Sequence, residues 1–294
     1  MKHASFQKNI KFNKIIILDC LSDNEYQTAI HLHENLSDKG YRDGISYIKI
    51  QDSKSIREAI DDIRFSISDM GFRPIIHIEA HGNPESMVLP DKSSIQWGEL
   101  ANEFRKINQL MGNELVTFIG TCHGYHFIFK NHTIKNFTPV YFCIAPLDSI
   151  PAGDVEDAAF AFYESVLLTG DLTQSANLLD SSKLYTYNSD YMFHRAFHEA
   201  MQRNHKGKAF QKRKEALITQ AISLMGDTWK KMNPTEKRNY LKRARQLLND
   251  SLKSKESLRK EFDRFSIGYM GYANGQVFDE IWKHMQDNKQ GRII

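Results

Sequence analysis

Residues 74–82, Pro74-Ile75-Ile76-His77-Ile78-Glu79-Ala80-His81-Gly82, form an apolar run that ends in His-Gly. A second run, Glu114-Leu115-Val116-Thr117-Phe118-Ile119-Gly120-Thr121-Cys122-His123-Gly124, ends in Thr-Cys-His-Gly. Both read as strands buried on their two faces, each stopping at a reactive side chain with glycine close behind. In an open parallel sheet, ligands and chemistry gather at the carboxyl ends of the strands. His81 and Cys122 would then set a base and a nucleophile on one rim.

Further elements flank these two strands. KIIILDC at 14–20 reads as another buried strand and ISYIKI at 45–50 as a second. Helical spacing covers 23–39, up to Gly40, and 53–70, up to Gly71. The turn-rich segment 82–96 around Met87-Val88-Leu89 predicts a small β-hairpin beside the site. A helix over 96–110, a short one from Tyr125, a strand over 139–144, helices over 154–168 and 173–179 and an edge strand over 183–187 follow. Strands alternating with helices at this rhythm predict an α/β fold with a mostly parallel sheet between two helical layers. From about Met192 the chain becomes helix-prone and rich in Lys and Arg. The expected division is therefore 1–195 as the sheet domain and 196–294 as a basic, mainly helical appendage.

Composition agrees with two parts of different character. The 294 residues are 41% hydrophobic and 26% charged, as in globular proteins. Residues 1–190 hold 17 Lys+Arg against 25 Asp+Glu, a net of −8, and residues 191–294 hold 22 against 11, a net of +11. No apolar stretch approaches the roughly 20 residues that span a bilayer, and the first residues are too polar for a secretory signal. With three cysteines and no paired motif, a disulfide framework is not expected. A reducing cytoplasm is the expected compartment, where a thiol nucleophile stays reduced.

A thiol attacks as the thiolate, and a neighbouring imidazole can take its proton near neutral pH. The oxyanion formed on attack needs aligned N–H donors, for which the backbone N–H groups of Gly82 and Cys122 are the candidates. Gly82 and Gly124 would allow unusual φ angles and close approach of a substrate. The order His-then-Cys excludes the papain arrangement and agrees with caspases, where the histidine lies about 50 residues upstream. Here the separation is 41 residues.

With His81-Gly82 after one strand and Thr121-Cys122-His123-Gly124 after the next, residues 14–200 resemble clan CD peptidases. MVLPDKSSIQWGELANEF between the motifs, and APLDSIPAGDVEDAAFAFYESVLLTGDLTQSANLL after the next strand, narrow the resemblance to bacterial CHAT-type caspase-like domains. It implies a caspase-like three-layer fold and a cysteine endopeptidase, often activated by a partner protein. It also implies a protein substrate, such as a pore-forming or other effector in bacterial defence against phage, and no cofactor. Gly-Thr-Cys stands here where caspases proper have Gln-Ala-Cys, so specificity for Asp does not carry over.

Other readings compete at several positions. His77, Glu79 and His81 share strand parity and could join Cys122, His123 and His126 around zinc, but no tight ligand pair is present and no metal is expected. Glu79 could orient His81; pairing elsewhere on the sheet is the preferred reading. Asp148 and Asp154 are candidates for a substrate-binding pocket that would select Lys or Arg. Asp154 alternatively caps a helix beginning at Val155, and Trp97 reads as packing. The basic segments HKGKAFQKRK (205–214) and LKRARQLLNDSLKSK (241–255) read as solvated helix, as a docking surface, or as phosphate contacts. Two rivals to the peptidase remain open: a non-enzymatic binding module of the same fold, and a nucleic-acid-binding regulator.

Overall fold

Five of the apolar runs become neighbouring strands of one sheet. In the computed structural model, which describes residues 11–129, 131, 133–204 and 207–287, they are β1 (Lys14–Cys20), β2 (Ile45–Lys49), β3 (Pro74–Gly82), β6 (Val116–Thr121) and β7 (Phe142–Pro146). The main sheet runs β2-β1-β3-β6-β7-β8. The first five strands are parallel, and β8 (Leu184–Asn188) closes the edge antiparallel to β7. The expected hairpin is present as β4 (Ser86–Val88) and β5 (Ser94–Gln96), and β4 pairs antiparallel with the end of β3.

Helices cover both faces because each carries one apolar stripe. On one side α2 (Ser53–Met70) buries Ile56, Ile60, Ile63 and Ile67, and α3 (Trp97–Leu110) buries Leu100, Phe104 and Ile107. On the other, α1 (Thr28–Leu36) contributes Ala29, Leu32 and Leu36, and α5 (Ala152–Thr169) contributes Val155, Ala159, Phe162 and Val166. The result is the expected α/β architecture with a mostly parallel sheet and C-terminal helices. Asp52 opens α2 with a capping box shared with Ser55, and Gly71 closes it in the left-handed conformation at φ 68°.

Three boundaries differ from the sequence reading for local reasons. The first helix begins at Thr28 rather than at residue 23, because Glu25 turns back to accept from the Ser22 N–H at 3.1 Å. The seventh strand runs over Phe142–Pro146, since Tyr141 and Phe142 first donate to the Leu115 carbonyl. The fifth helix starts at Ala152 behind Pro151, so Asp154 lies within its first turn and does not cap it. The remaining short helices of this part are α4 (His126–Phe129) and α6 (Leu172–Ala176).

The chain divides into two compact units. One ends at Met192 and takes in Tyr269–Gly271; the other runs over Phe193–Gly268 and resumes at Tyr272. The later helices are α7 (Ser189–Asn204), α8 (Gly207–Met225), α9 (Asp227–Lys231), α10 (Pro234–Lys253), α11 (Lys255–Met270) and α12 (Gly275–Asp287). The second unit packs around aromatic rings: Phe262 meets Phe193, Phe197 and Phe278 at centroid distances of 5.4, 5.1 and 5.5 Å. His205 and Lys206 of the first basic segment lie outside the described residues. Among the described residues no helix is long and apolar enough to cross a membrane.

Candidate active site

Strands β3 and β6 lie side by side, in register from Ile75↔Val116 to Ala80↔Thr121. His81, still within β3, and Cys122, the first residue past β6, each follow the last pair of that register at the carboxyl rim. Alternation assigns His81 to the face packed by α1 and α5, together with Ile75, His77 and Glu79 on β3, the face to which Val116, Phe118 and Gly120 of β6 also belong. The loops entering those helices supply the contacts. Glu25, before α1, reaches His81, and Ile150, before α5, reaches Cys122.

The imidazole of His81 is 59% exposed, and its Nε2–H donates to Glu25 Oε2 at 2.9 Å. An ionised carboxylate only accepts, so this contact assigns the Nε2–H tautomer and leaves the Nδ1 lone pair as the basic site. Burial alone would raise the Glu25 pKa. The hydrogen bonds from His81 and Ser22, with the positive charge nearby, outweigh that and hold the carboxyl below the usual range. The Cys122 thiol donates to the Ile150 carbonyl at 3.7 Å. No hydrogen bond joins it to His81 among the described residues.

Of the three free cysteines, Cys20 and Cys143 are buried and Cys122 is partly exposed. Burial pushes the Cys143 thiol up to about 12 and raises that of Cys20 as well, which leaves both as packing groups. Cys122 is thus the thiol that solvent can reach.

A polar row lies one step below the rim, where the register aligns Lys49, Asp19, Glu79 and Gly120. Fully buried Asp19 accepts from the Leu21 N–H and Lys49 Nζ, each at 2.9 Å, and from the Tyr47 hydroxyl. Glu79 accepts from His77 Nε2–H at 2.7 Å, while the Tyr163 hydroxyl donates to His77 Nδ1 at 3.3 Å. Glu79 is therefore partnered with His77 and not with His81. A Cβ at Gly120 would fall 2.7 Å from both Glu79 Oε2 and Val155 Cγ1, so glycine makes the space in which that carboxylate sits.

The backbone next to the thiol is equally close. A Cβ at Gly82 would lie 2.5 Å from the Cys122 carbonyl oxygen and 2.6 Å from Thr121 Cγ2. The two residues named as oxyanion donors, Gly82 and Cys122, are therefore adjacent. The positive φ expected of a glycine here belongs instead to His123, at 60°. That turn lets the His123 N–H donate to the Asp148 carbonyl at 3.2 Å, and its Nδ1–H donates to the Leu147 carbonyl, also at 3.2 Å. Trp97 is buried as expected, and its indole N–H donates to the Asn83 carbonyl at 2.8 Å, bracing the loop after His81.

The two acids proposed for substrate selection separate. Asp148 is exposed on the loop after β7. Asp154 accepts from Lys183 Nζ at 2.8 Å and lines a cavity of about 220 Å³ with Ile150, Asp157, Leu178, Asp180 and Lys183. Among the described residues no three His, Cys, Asp or Glu side chains are gathered as a metal-ligand set. Glu25 and the partnership of Ile150 with the thiol were not legible beforehand. Their one sequence signal is position, each in a loop that follows a strand at the same rim. No protein-family model matches this chain, and neither does any curated protein.

Proposed function

We propose that the chain is a caspase-like cysteine endopeptidase of the CHAT type, in which Cys122 is the nucleophile and His81 the general base. The observation that supports this reading is the β3–β6 register, whose last pair, Ala80↔Thr121, immediately precedes His81 and the one partly exposed cysteine at the carboxyl rim. Glu25 holds the imidazole by Nε2 and leaves Nδ1 to receive the thiol proton. The resulting thiolate attacks the peptide carbonyl, and the N–H groups of Gly82 and Cys122 serve the oxyanion. The imidazolium then protonates the leaving amine, and a water hydrolyses the thioester with the same base.

At rest the thiol is turned to the Ile150 carbonyl. Rotation about its side-chain torsion towards His81 precedes attack; activation by a partner protein follows only from the resemblance to CHAT-type domains. Asp148, exposed on the loop after β7, favours a basic residue ahead of the scissile bond, whereas Asp154 is already taken by Lys183. On the resemblance to CHAT-type domains, the substrate is an effector protein in bacterial defence.

A thiol-reactive peptide electrophile tests the pair directly. Rapid labelling of Cys122 that disappears in His81→Ala supports the enzyme. Comparison of new protein termini in cells expressing wild type or Cys122→Ala then identifies the substrate. Equal labelling of wild type and His81→Ala, with no terminus that depends on Cys122, would leave the fold as a binding module.

A further inference from the structure

Several cations of the second unit are taken up by its own acids. Glu215 accepts from Nε and Nη2 along one edge of the Arg245 guanidinium, each at 2.9 Å. Glu261 takes Arg213, Asp263 takes Arg259 and Asp279 takes Lys255. Arg238, Lys242 and Arg243 of α10 are exposed and enter no ion pair or hydrogen bond among the described residues.

Helix α10 is built to stand with one side open. It starts with Pro234 behind an Asn233/Glu236 capping box, which satisfies its first N–H groups and folds the Glu236 carboxylate back onto the Asn233 N–H at 2.8 Å. None of its described residues is buried. Its inner side is marked by Tyr240 against Trp229 at 5.6 Å and by Arg245 on Glu215. At 3.6 residues per turn, Arg238, Asn239, Lys242, Arg243 and Gln246 fall within about 140° of the outer side. All five are exposed, and all five carry hydrogen-bond donors. The nearer acid is turned away in the cap, and Asp250 lies beyond this group towards the helix end.

We infer that this face of α10 docks in the major groove of double-stranded DNA, with Arg238, Lys242 and Arg243 on phosphates and Asn239 and Gln246 towards the base edges. Cations one turn apart suit a backbone that presents a phosphate charge roughly every 1.7 Å of duplex. Neutral amides among them are the groups that pair with sugars and base edges, whereas a surface made for an acidic protein needs only cations. An α-helix about 10–12 Å across fits the B-form major groove of about 12 Å, while the deep, narrow groove of A-form RNA does not admit side chains. This binding is independent of the peptidase reading.

The test is fluorescence anisotropy of the full chain with a labelled DNA duplex of about 20 base pairs, over roughly 50 to 300 mM salt. Affinity should fall steeply with salt. The triple variant Arg238→Gln/Lys242→Gln/Arg243→Gln should bind about 10²-fold more weakly near 100 mM, with a log–log salt slope shallower by about 2.7, or ~0.9 per phosphate contact. Lys255→Gln/Lys260→Gln, which removes two cations already paired inside the unit, should bind as wild type does. Far-UV circular dichroism checks that the exposed triple variant keeps its helices. Three results would each overturn the inference: no duplex binding at low salt, an unchanged slope in the folded triple variant, or equal binding of duplex RNA. Polyglutamate competing as well as DNA would assign the face to an acidic protein instead.

Discussion

Replacing Glu25 by Gln removes a charge while keeping the shape of the side chain, and it isolates what the carboxylate does for His81. A hydrogen bond to a charged group contributes about 1.5–3 kcal/mol when well sheltered. Here the partners are 59% and 30% exposed, so solvent screening brings the expected loss to about 1–1.4 kcal/mol. That corresponds to a fall of about 5- to 10-fold in the second-order rate at which a peptidyl electrophile modifies Cys122. The pH dependence carries a sign. Because the folded-state pKa of Glu25 is lowered, the carboxylate's contribution is complete above the ordinary glutamate value of about 4.3 and is lost as pH falls through the lower folded value. The advantage of wild type over Glu25→Gln should therefore be flat from neutral pH down to about 5 and shrink only below about 4.3. Rates measured across that range, with His81→Ala as the floor, decide the matter. If Glu25→Gln stays within about twofold of wild type throughout, Glu25 does not orient the base. A loss equal to that of His81→Ala would instead mean that the substitution has displaced the loop.

Gly120→Ala forces a methyl group within 2.7 Å of Glu79 and Val155 and should cost about 1–3 kcal/mol in urea unfolding. Gly153→Ala, in the first turn of α5 with open space around it, should be neutral or slightly stabilising in the same assay. Thr121 Oγ1 is buried without a hydrogen-bond partner, so Thr121→Val should raise stability by about 1 kcal/mol and leave Cys122 labelling intact. A small alkylating agent followed by intact mass measurement should add one group to the native chain, at Cys122, and three after unfolding. Rapid native modification of Cys20 or Cys143 would contradict their burial.

The parallel strands could be read directly because they are buried on both faces, which leaves unbroken runs such as KIIILDC and PIIHI. The rim position of His81 and Cys122 followed from the same runs, since each stops where its reactive residue begins. The contacts of the two side chains did not follow. Glu25 meets His81 across 56 residues because β1 lies between β2 and β3, and a strand order of that kind leaves no local trace in sequence. Asp154 resembled a helix cap because it precedes an apolar stretch, yet Pro151 sets the start of α5 earlier and Lys183, on the far side of α6, takes the carboxylate. Glu79 and His77 could each have been assigned to the chemistry by parity. Gly120, four positions before the second motif's final glycine, turned out to be the residue that keeps them together below it.

The pairing of β3 with its parallel neighbours stops at Ala80, and β4 takes over at His81 and Gly82. The main chain that carries the imidazole is therefore not a loop but the start of a second, antiparallel ladder. In an antiparallel ladder hydrogen-bonded pairs alternate, so with Asn83 N–H on the Ser86 carbonyl it is the His81 amide, and not that of Gly82, that faces β4. The His81 amide should exchange with solvent only when the β4–β5 hairpin opens, on the slow scale of sub-global unfolding, although the ring itself stands in water. Motion of the imidazole then reduces to two side-chain torsions that hop in picoseconds to nanoseconds. The hairpin tip at Asp91 and Lys92 becomes a remote handle on that behaviour: lengthening it would hasten amide exchange at His81, and not at Gly82, before any group at the rim had been altered.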